Sequence, residues 1–93
     1  MIIFVPKAEL LDHIGEELEP GPWFKIDQDR VNQFADVTID QQFIHVDPEK
    51  ARDTPFGGTI AHGFLTLSLL THLIEESAIM PNEIAMGLNY GFD

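Results

Sequence analysis

Residues 84–92 constrain the fold more than any other stretch. Ile84, Met86, Leu88, Tyr90 and Phe92 alternate there with Ala85, Gly87, Asn89 and Gly91. Side chains of an extended chain point to opposite faces in turn, so this period predicts a strand with one large apolar face. The other face is small, which lets a second backbone or a helix approach closely. A lone strand leaves its ladder N–H and C=O groups unpaired, so this one predicts partner strands. Those partners are expected from further sequence, another chain or an exchanged element. Such an edge also predicts an oligomer.

Upstream, residues 60–78 predict the main helix. Apolar side chains surround it on nearly every side, which predicts burial rather than an amphipathic face. Met80-Pro81-Asn82 ends it. Earlier segments are shorter. Residues 8–14 read as a helix stopped by Gly15, and Trp23-Phe24-Lys25-Ile26 has the composition of a strand. Asp27 is a candidate N-cap for a helix over 28–37, with Val31, Phe34 and Ala35 on one face. Asp47-Pro48 pairs an N-cap acid with proline at the first helical position, predicting a short helix to about Arg52. Thr54 to Gly58 breaks it. Trp23, Phe24, Phe34, Phe43 and Phe64 are expected in the core. These elements make an α+β chain, and 93 residues suffice for one domain, 1–93, but not two.

The charge excludes some partners. Sixteen acidic residues against five basic ones give a net charge of −11. Nucleic acid and anionic membranes both need a basic face, so neither is expected. The absence of cysteine removes disulfides, thiolate metal sites and a Cys nucleophile. The opening apolar run is too short for a signal-peptide core, and the apolar stretch 60–74 is too short and too often interrupted to span a membrane. A cytoplasmic protein is the expectation.

The chemistry concentrates in residues 38–63. Asp40 and His45 could both reach one water, the carboxylate accepting a proton and the imidazole orienting the water or passing a proton on. Five extended residues span roughly 17 Å, so convergence requires the loop to fold back. Gln41 and Gln42 offer amides to pin such a turn. Gly57 and Gly58 then permit close backbone approach ahead of the main helix. The first N–H groups of that helix lack helical acceptors and suit a carboxylate, a phosphate or a developing oxyanion. Gly63 has no side chain to block that approach. The candidate substrate-binding set is Gly57, Gly58, Ala61 and His62. The plainer alternatives are an ordinary loop around Asp40 and His45, and packing or capping roles for His62 and His72. His13 is expected to be exposed. The four histidines have no recognisable metal-site spacing, and Ser68 and Ser77 lack the setting of a hydrolase nucleophile.

Two stretches, TIDQQFIHVDP and FGGTIAHGFLTLSLL, carry a resemblance to a family. They resemble the MaoC-like dehydratases, in particular the branch similar to nodulation protein N, and the likeness extends over essentially the whole chain. The resemblance implies a hot-dog fold, in which a long central helix (here 60–78) is wrapped by an antiparallel sheet, usually in a dimer. It implies reversible addition of water across the double bond of a 2-enoyl thioester, commonly of coenzyme A. That reaction uses no cofactor apart from coenzyme A as part of the substrate. By the same resemblance, Asp40 and His45 match the pair that binds and activates the water. Gly63 matches the residue whose backbone N–H polarises the thioester carbonyl.

Two departures stand out. The family usually has glycine immediately before the catalytic Asp, where this chain has Ile39; a positive φ there would strain a β-branched residue. Family members also run past position 93 with further strands, so this chain corresponds to the N-terminal part of a hot dog. The charge of −11 is opposed to an anionic coenzyme A substrate. The rival expectations are a non-catalytic partial hot-dog subunit or thioester-binding fragment, and a thioesterase on the same fold.

Overall fold

Aspartates at two positions start helices as their chemistry dictates. In the computed structural model, which describes residues 1–93, Asp27 is extended (φ −84°, ψ 172°) and its side chain accepts from the Arg30 N–H. Helix α1 follows over Gln28–Thr38. Asp47 accepts from the Lys50 N–H in the same way and starts Pro48–Arg52. The chain divides into two compact units, Trp23–His72 and the combination of Met1–Pro22 with Leu73–Asp93.

The Trp23–His72 unit carries α1, α2 (Phe43–Val46), α3 (Pro48–Arg52) and α4 (Gly63–Ser68). Helix α5 (Leu70–Glu76) begins in this unit and ends in the other. Val31 and Ala35, one turn apart on α1, are buried with Ala51 and Leu65. Two histidines, His45 and His62, are buried with them. The end of α1 is a Schellman-type closure. Ile39 takes the left-handed conformation (φ 62°, ψ 31°), and the Asp40 N–H reaches back to the Ala35 carbonyl at 3.1 Å.

The second unit holds the sheet. Strands β1 (Ile2–Val5) and β2 (Ala78–Pro81) pair in parallel, with Ile2 opposite Ala78 and Val5 opposite Pro81. Val5 and Ala78 are buried. The amino group of Met1 donates to the Glu76 carbonyl, and the Ser77 hydroxyl donates to that of Glu19. A 3₁₀ helix over Lys7–His13 follows β1, and the chain turns at Gly15 with φ 87°.

Several expectations are corrected here. The single buried helix over 60–78 is instead α4 and α5, parted at Leu69 (φ −79°, ψ −3°), and its last residue belongs to β2. The Ser68 hydroxyl donates to the Leu65 carbonyl at 2.7 Å, and the Leu69 N–H is shared between the Leu65 and Thr66 carbonyls. Such back-bonding competes with the helical ladder and bends or ends it. Of the residues in α4 and α5, Leu65 alone is buried. Residues 84–92 form no strand and are exposed. With no strand beside them, their backbone groups have no ladder to join. Residues 23–26 are likewise irregular, and Trp23 is fully exposed. Phe43 and Phe64 are exposed too, so the core is built from smaller side chains and from imidazoles. Within these residues the sheet is a two-stranded parallel pair, β1 beside β2.

Candidate active site

Asp40 enters the site because α1 ends where it does. The left-handed turn at Ile39 reverses the chain, so the next residue leaves the helix axis. Asp40 Oδ1 accepts the Gln42 backbone N–H at a long 3.4 Å, and the Gln41 amide donates to Asp36 Oδ1 at 2.7 Å. Both glutamines therefore hold the turn, Gln41 by its side chain and Gln42 by its backbone. Helix α2 begins soon after, at Phe43, and carries His45 as its third residue.

His45 is 8% exposed, and its ring is fixed by a carbonyl. Its Nδ1 lies 2.7 Å from the Ile60 oxygen. A carbonyl can only accept, so Nδ1 carries the hydrogen and Nε2 keeps its lone pair. The two segments are also joined by the Ile60 N–H, which donates to the Ile44 carbonyl at 2.9 Å. Gln28 completes this framework. Its Nε2 donates to the His45 carbonyl at 2.7 Å, and its Oε1 accepts the Thr59 hydroxyl at 2.6 Å. Sequence reasoning missed Gln28. A glutamine in the first turn of a helix is ordinary, and only the fold brings it to residues 45 and 59.

His62 is 3% exposed and lies beside both members of the pair. Its ring stacks on His45, with centroids 3.8 Å apart and planes 24° from parallel. Its Nε2 is 3.1 Å from the Asp40 carbonyl oxygen and 3.9 Å from Asp40 Oδ2. Its Nδ1 is buried without a hydrogen-bond partner. One ligating atom from each of Asp40, His45 and His62 lies within 4.8 Å of the others. The loop from Asp40 to His45 thus folds back as convergence requires. It also brings together two histidines that are seventeen positions apart, a grouping that spacing alone did not indicate. This set could be asked to bind a metal, but nearly parallel stacked rings do not aim their in-plane lone pairs at one ion. The Asp40 carboxyl remains nearly half exposed beside the buried rings. A carboxylate open to solvent beside an imidazole with a free Nε2 lone pair can hold a water and move its proton.

Gly57 and Gly63 behave as their lack of a side chain suggests. Gly57 turns with φ 71°, and a Cβ at Gly63 would meet nothing within 4 Å. Gly63 is the first residue of α4, and its N–H donates to no carbonyl. Gly58 is partly exposed with open space around its Cα, and Ala61 is half-buried beside His62. Among the expected substrate-binding residues, His62 is the exception, since its ring is enclosed by His45 and by Phe34 at 5.0 Å.

Known proteins resemble this chain over most of its length. The chain is 52% identical over 87 residues to nodulation protein N of Rhizobium leguminosarum bv. viciae, covering 92% of this chain and 54% of that protein. It is 53% identical over 81 residues to nodulation protein N of Rhizobium meliloti (strain 1021), covering 86% and 50%. It is 44% identical over all 93 residues to 3-hydroxyacyl-thioester dehydratase Z of Mycobacterium tuberculosis (strain ATCC 25618 / H37Rv), covering 61% of that protein. The chain therefore spans between half and two thirds of the length of these relatives. The family described as MaoC like domain matches residues 9–92. On that match and on the identities to its relatives, this chain belongs to the MaoC-like dehydratase family.

Proposed function

We propose that this chain is a hydratase or dehydratase acting on 2-enoyl thioesters, with coenzyme A as the carrier in its substrate. The observation that carries this reading is the convergence of the Asp40 carboxylate and the His45 ring within 4.8 Å, with His45 held in one tautomer by the Ile60 carbonyl. Family membership and the 3-hydroxyacyl-thioester dehydratase among the relatives support the reaction class.

In the hydration direction, Asp40 and His45 hold the water. One of them takes its proton as the oxygen bonds to C3 of the enoyl chain. The C2–C3 double bond opens, and its electrons move through C2 to the thioester oxygen as an enolate. Return of those electrons to C2, with a proton delivered there, completes the addition. The enolate oxygen is stabilised by the Gly63 N–H. One such donor typically contributes about 3–4 kcal/mol to the barrier, or roughly 10²–10³ in rate. We assign Gly57, Gly58 and Ala61, which precede that donor in sequence, to the substrate-binding surface. The chemistry is acid–base throughout and calls for no metal or redox cofactor.

The same reading treats residues 1–93 as part of one hot-dog domain. Residues 84–92 are irregular and exposed but keep the alternation of a strand, which suits them to pair within a hot-dog sheet. A homodimer is the arrangement we assign, in the cytoplasm. No helix is long and apolar enough to cross a membrane.

Incubation with crotonyl-CoA tests the reaction. Loss of the enoyl absorbance with formation of 3-hydroxybutyryl-CoA, and without free thiol, is the expected result. Release of free thiol would identify a thioesterase instead. Tight thioester binding with neither product would identify a non-catalytic subunit.

A further inference from the structure

His62 has a geometry that a substrate contact does not require. It is buried to 3% exposure, and it touches both Asp40 and His45 without presenting a polar atom to the open side of the site. Its contact with Asp40 is to the backbone carbonyl, not mainly to the carboxylate: 3.1 Å against 3.9 Å. Because the carbonyl only accepts, His62 carries its hydrogen on Nε2. Nδ1 is therefore the unprotonated nitrogen, consistent with its having no partner. The two stacked rings hold opposite tautomers, His45 protonated at Nδ1 and His62 at Nε2.

The consequences for the pair are geometric. The hydrogen bond from Nδ1 to Ile60 fixes how far the His45 ring turns within its plane, and the stack with His62 fixes the plane itself. Together they leave the Nε2 lone pair of His45 one direction. Asp40 follows a residue in the left-handed conformation, where an L residue is poorly determined by its own preferences. The bond from His62 to the Asp40 carbonyl fixes the peptide plane from which the carboxyl projects. Phe34 also packs against His62, with ring centroids 5.0 Å apart and planes tilted by 55°.

We infer that His62 is a positioning residue that aims both Asp40 and His45 at the same water. It is not part of the substrate-binding surface. The inference rests on the hydration reading above, because the water is the object being aimed at. Two substitutions separate its two contacts. His62→Phe keeps a ring against His45 and removes the donor to Asp40. His62→Gln keeps a donor and removes the stacked ring.

The test has two parts. In the full chain labelled with ¹⁵N-histidine, long-range ¹H–¹⁵N correlation reads each ring's tautomer directly. His45 is expected as the Nδ1–H form and His62 as the Nε2–H form. For crotonyl-CoA hydration, each variant is expected to lose about 10²-fold in kcat, the scale of an ångström of misplacement. KM should stay within about twofold in both, because no substrate contact is removed. A raised KM with unchanged kcat would assign His62 to substrate binding and overturn the inference. Unchanged kcat and KM would reduce it to a core residue. A variant that fails to fold leaves the tautomers of the wild type to decide, and His62 in the Nδ1–H form overturns the inference. Wild-type protein with the expected tautomers but no hydration would sink the reaction and leave the placement of His62 intact. Hydration by a chain with the wrong His62 tautomer would sink this inference alone.

Discussion

Replacing Ile39 should make the protein more stable. Ile39 sits at φ 62° and ψ 31°, in the left-handed region that an L residue enters at a cost of about 1–2 kcal/mol. A β-branched side chain belongs at the upper end of that range. Its side chain is 86% exposed, so removing it forfeits little buried surface. Glycine pays no steric cost there, but it loosens the unfolded chain by roughly 0.4–1 kcal/mol. The balance for Ile39→Gly is a gain of about 1 kcal/mol. Urea titration followed by far-UV circular dichroism reads it. For a chain this small, the midpoint should rise by about 0.5–1 M urea with an unchanged slope. The melting temperature should rise by roughly 4–8 °C. Ile39→Asn should also stabilise, because asparagine tolerates the left-handed region without the full entropy cost of glycine. A midpoint that stays or falls in both variants would refute the reasoning. It would mean that Ile39 does not occupy this conformation in solution, or that its side chain is covered.

Three further outcomes follow from named contacts and from charge. Gln28→Ala removes the bridge between the His45 carbonyl and the Thr59 hydroxyl, and should cost about 1–2 kcal/mol in the same urea titration. The Michaelis constant for crotonyl-CoA should fall as salt rises from about 0.01 to 0.15 M, because the Debye length shrinks from roughly 30 to 8 Å and screens a chain of charge −11 from an anionic substrate. The His13 pKa is raised above its ordinary value, chiefly by the hydrogen bond to Glu16 at 3.0 Å. Its contribution to stability is therefore complete below the ordinary histidine value and is lost as pH rises through the raised one. Glu16→Gln should return the His13 titration, followed by NMR, toward the ordinary range.

Local chemistry was legible in the sequence wherever one residue decides the outcome. Asp27 and Asp47 cap helices because a carboxylate at those positions has free N–H groups within reach whatever surrounds it. Gly15 and Gly57 mark turns for an equally local reason. Ile39 stands out because it occupies a position where the resemblance implies glycine, and its φ is positive. Elements that depend on distant partners were not legible. Alternation over residues 84–92 describes a face for burial, but it supplies neither the neighbouring strand nor its hydrogen bonds. The apolar run from 60 onward conceals the hydroxyl groups of Thr66 and Ser68, which can turn back on the helix. The pairing of residues 2–5 with 78–81 joins two short segments whose own patterns did not call for it.

The site divides along the same line. Asp40, His45 and the turn between them could be read because they lie within six residues of each other. Gly63 could be read as an open backbone donor because it follows a glycine-bearing loop. The stack of His45 on His62 could not, since a buried imidazole pair arises from packing rather than spacing. Gln28 was hidden for the same reason. Its three partners, Asn32, His45 and Thr59, meet only when α1, α2 and the loop before α4 come together.

The most direct measurement is the rate of crotonyl-CoA hydration by the wild type and by Asp40→Asn, whose side chain keeps the size of the carboxylate and loses its basicity. If Asp40 and His45 activate the water, Asp40→Asn should lower kcat by roughly 10²–10⁴-fold, the usual contribution of a positioned acid–base group. Its melting temperature should remain near that of the wild type, since the Asp40 carboxylate is partly exposed and accepts only one long hydrogen bond, while the backbone carbonyl that His62 contacts is untouched by the substitution. Equal rates for the two proteins would contradict the assignment of the pair.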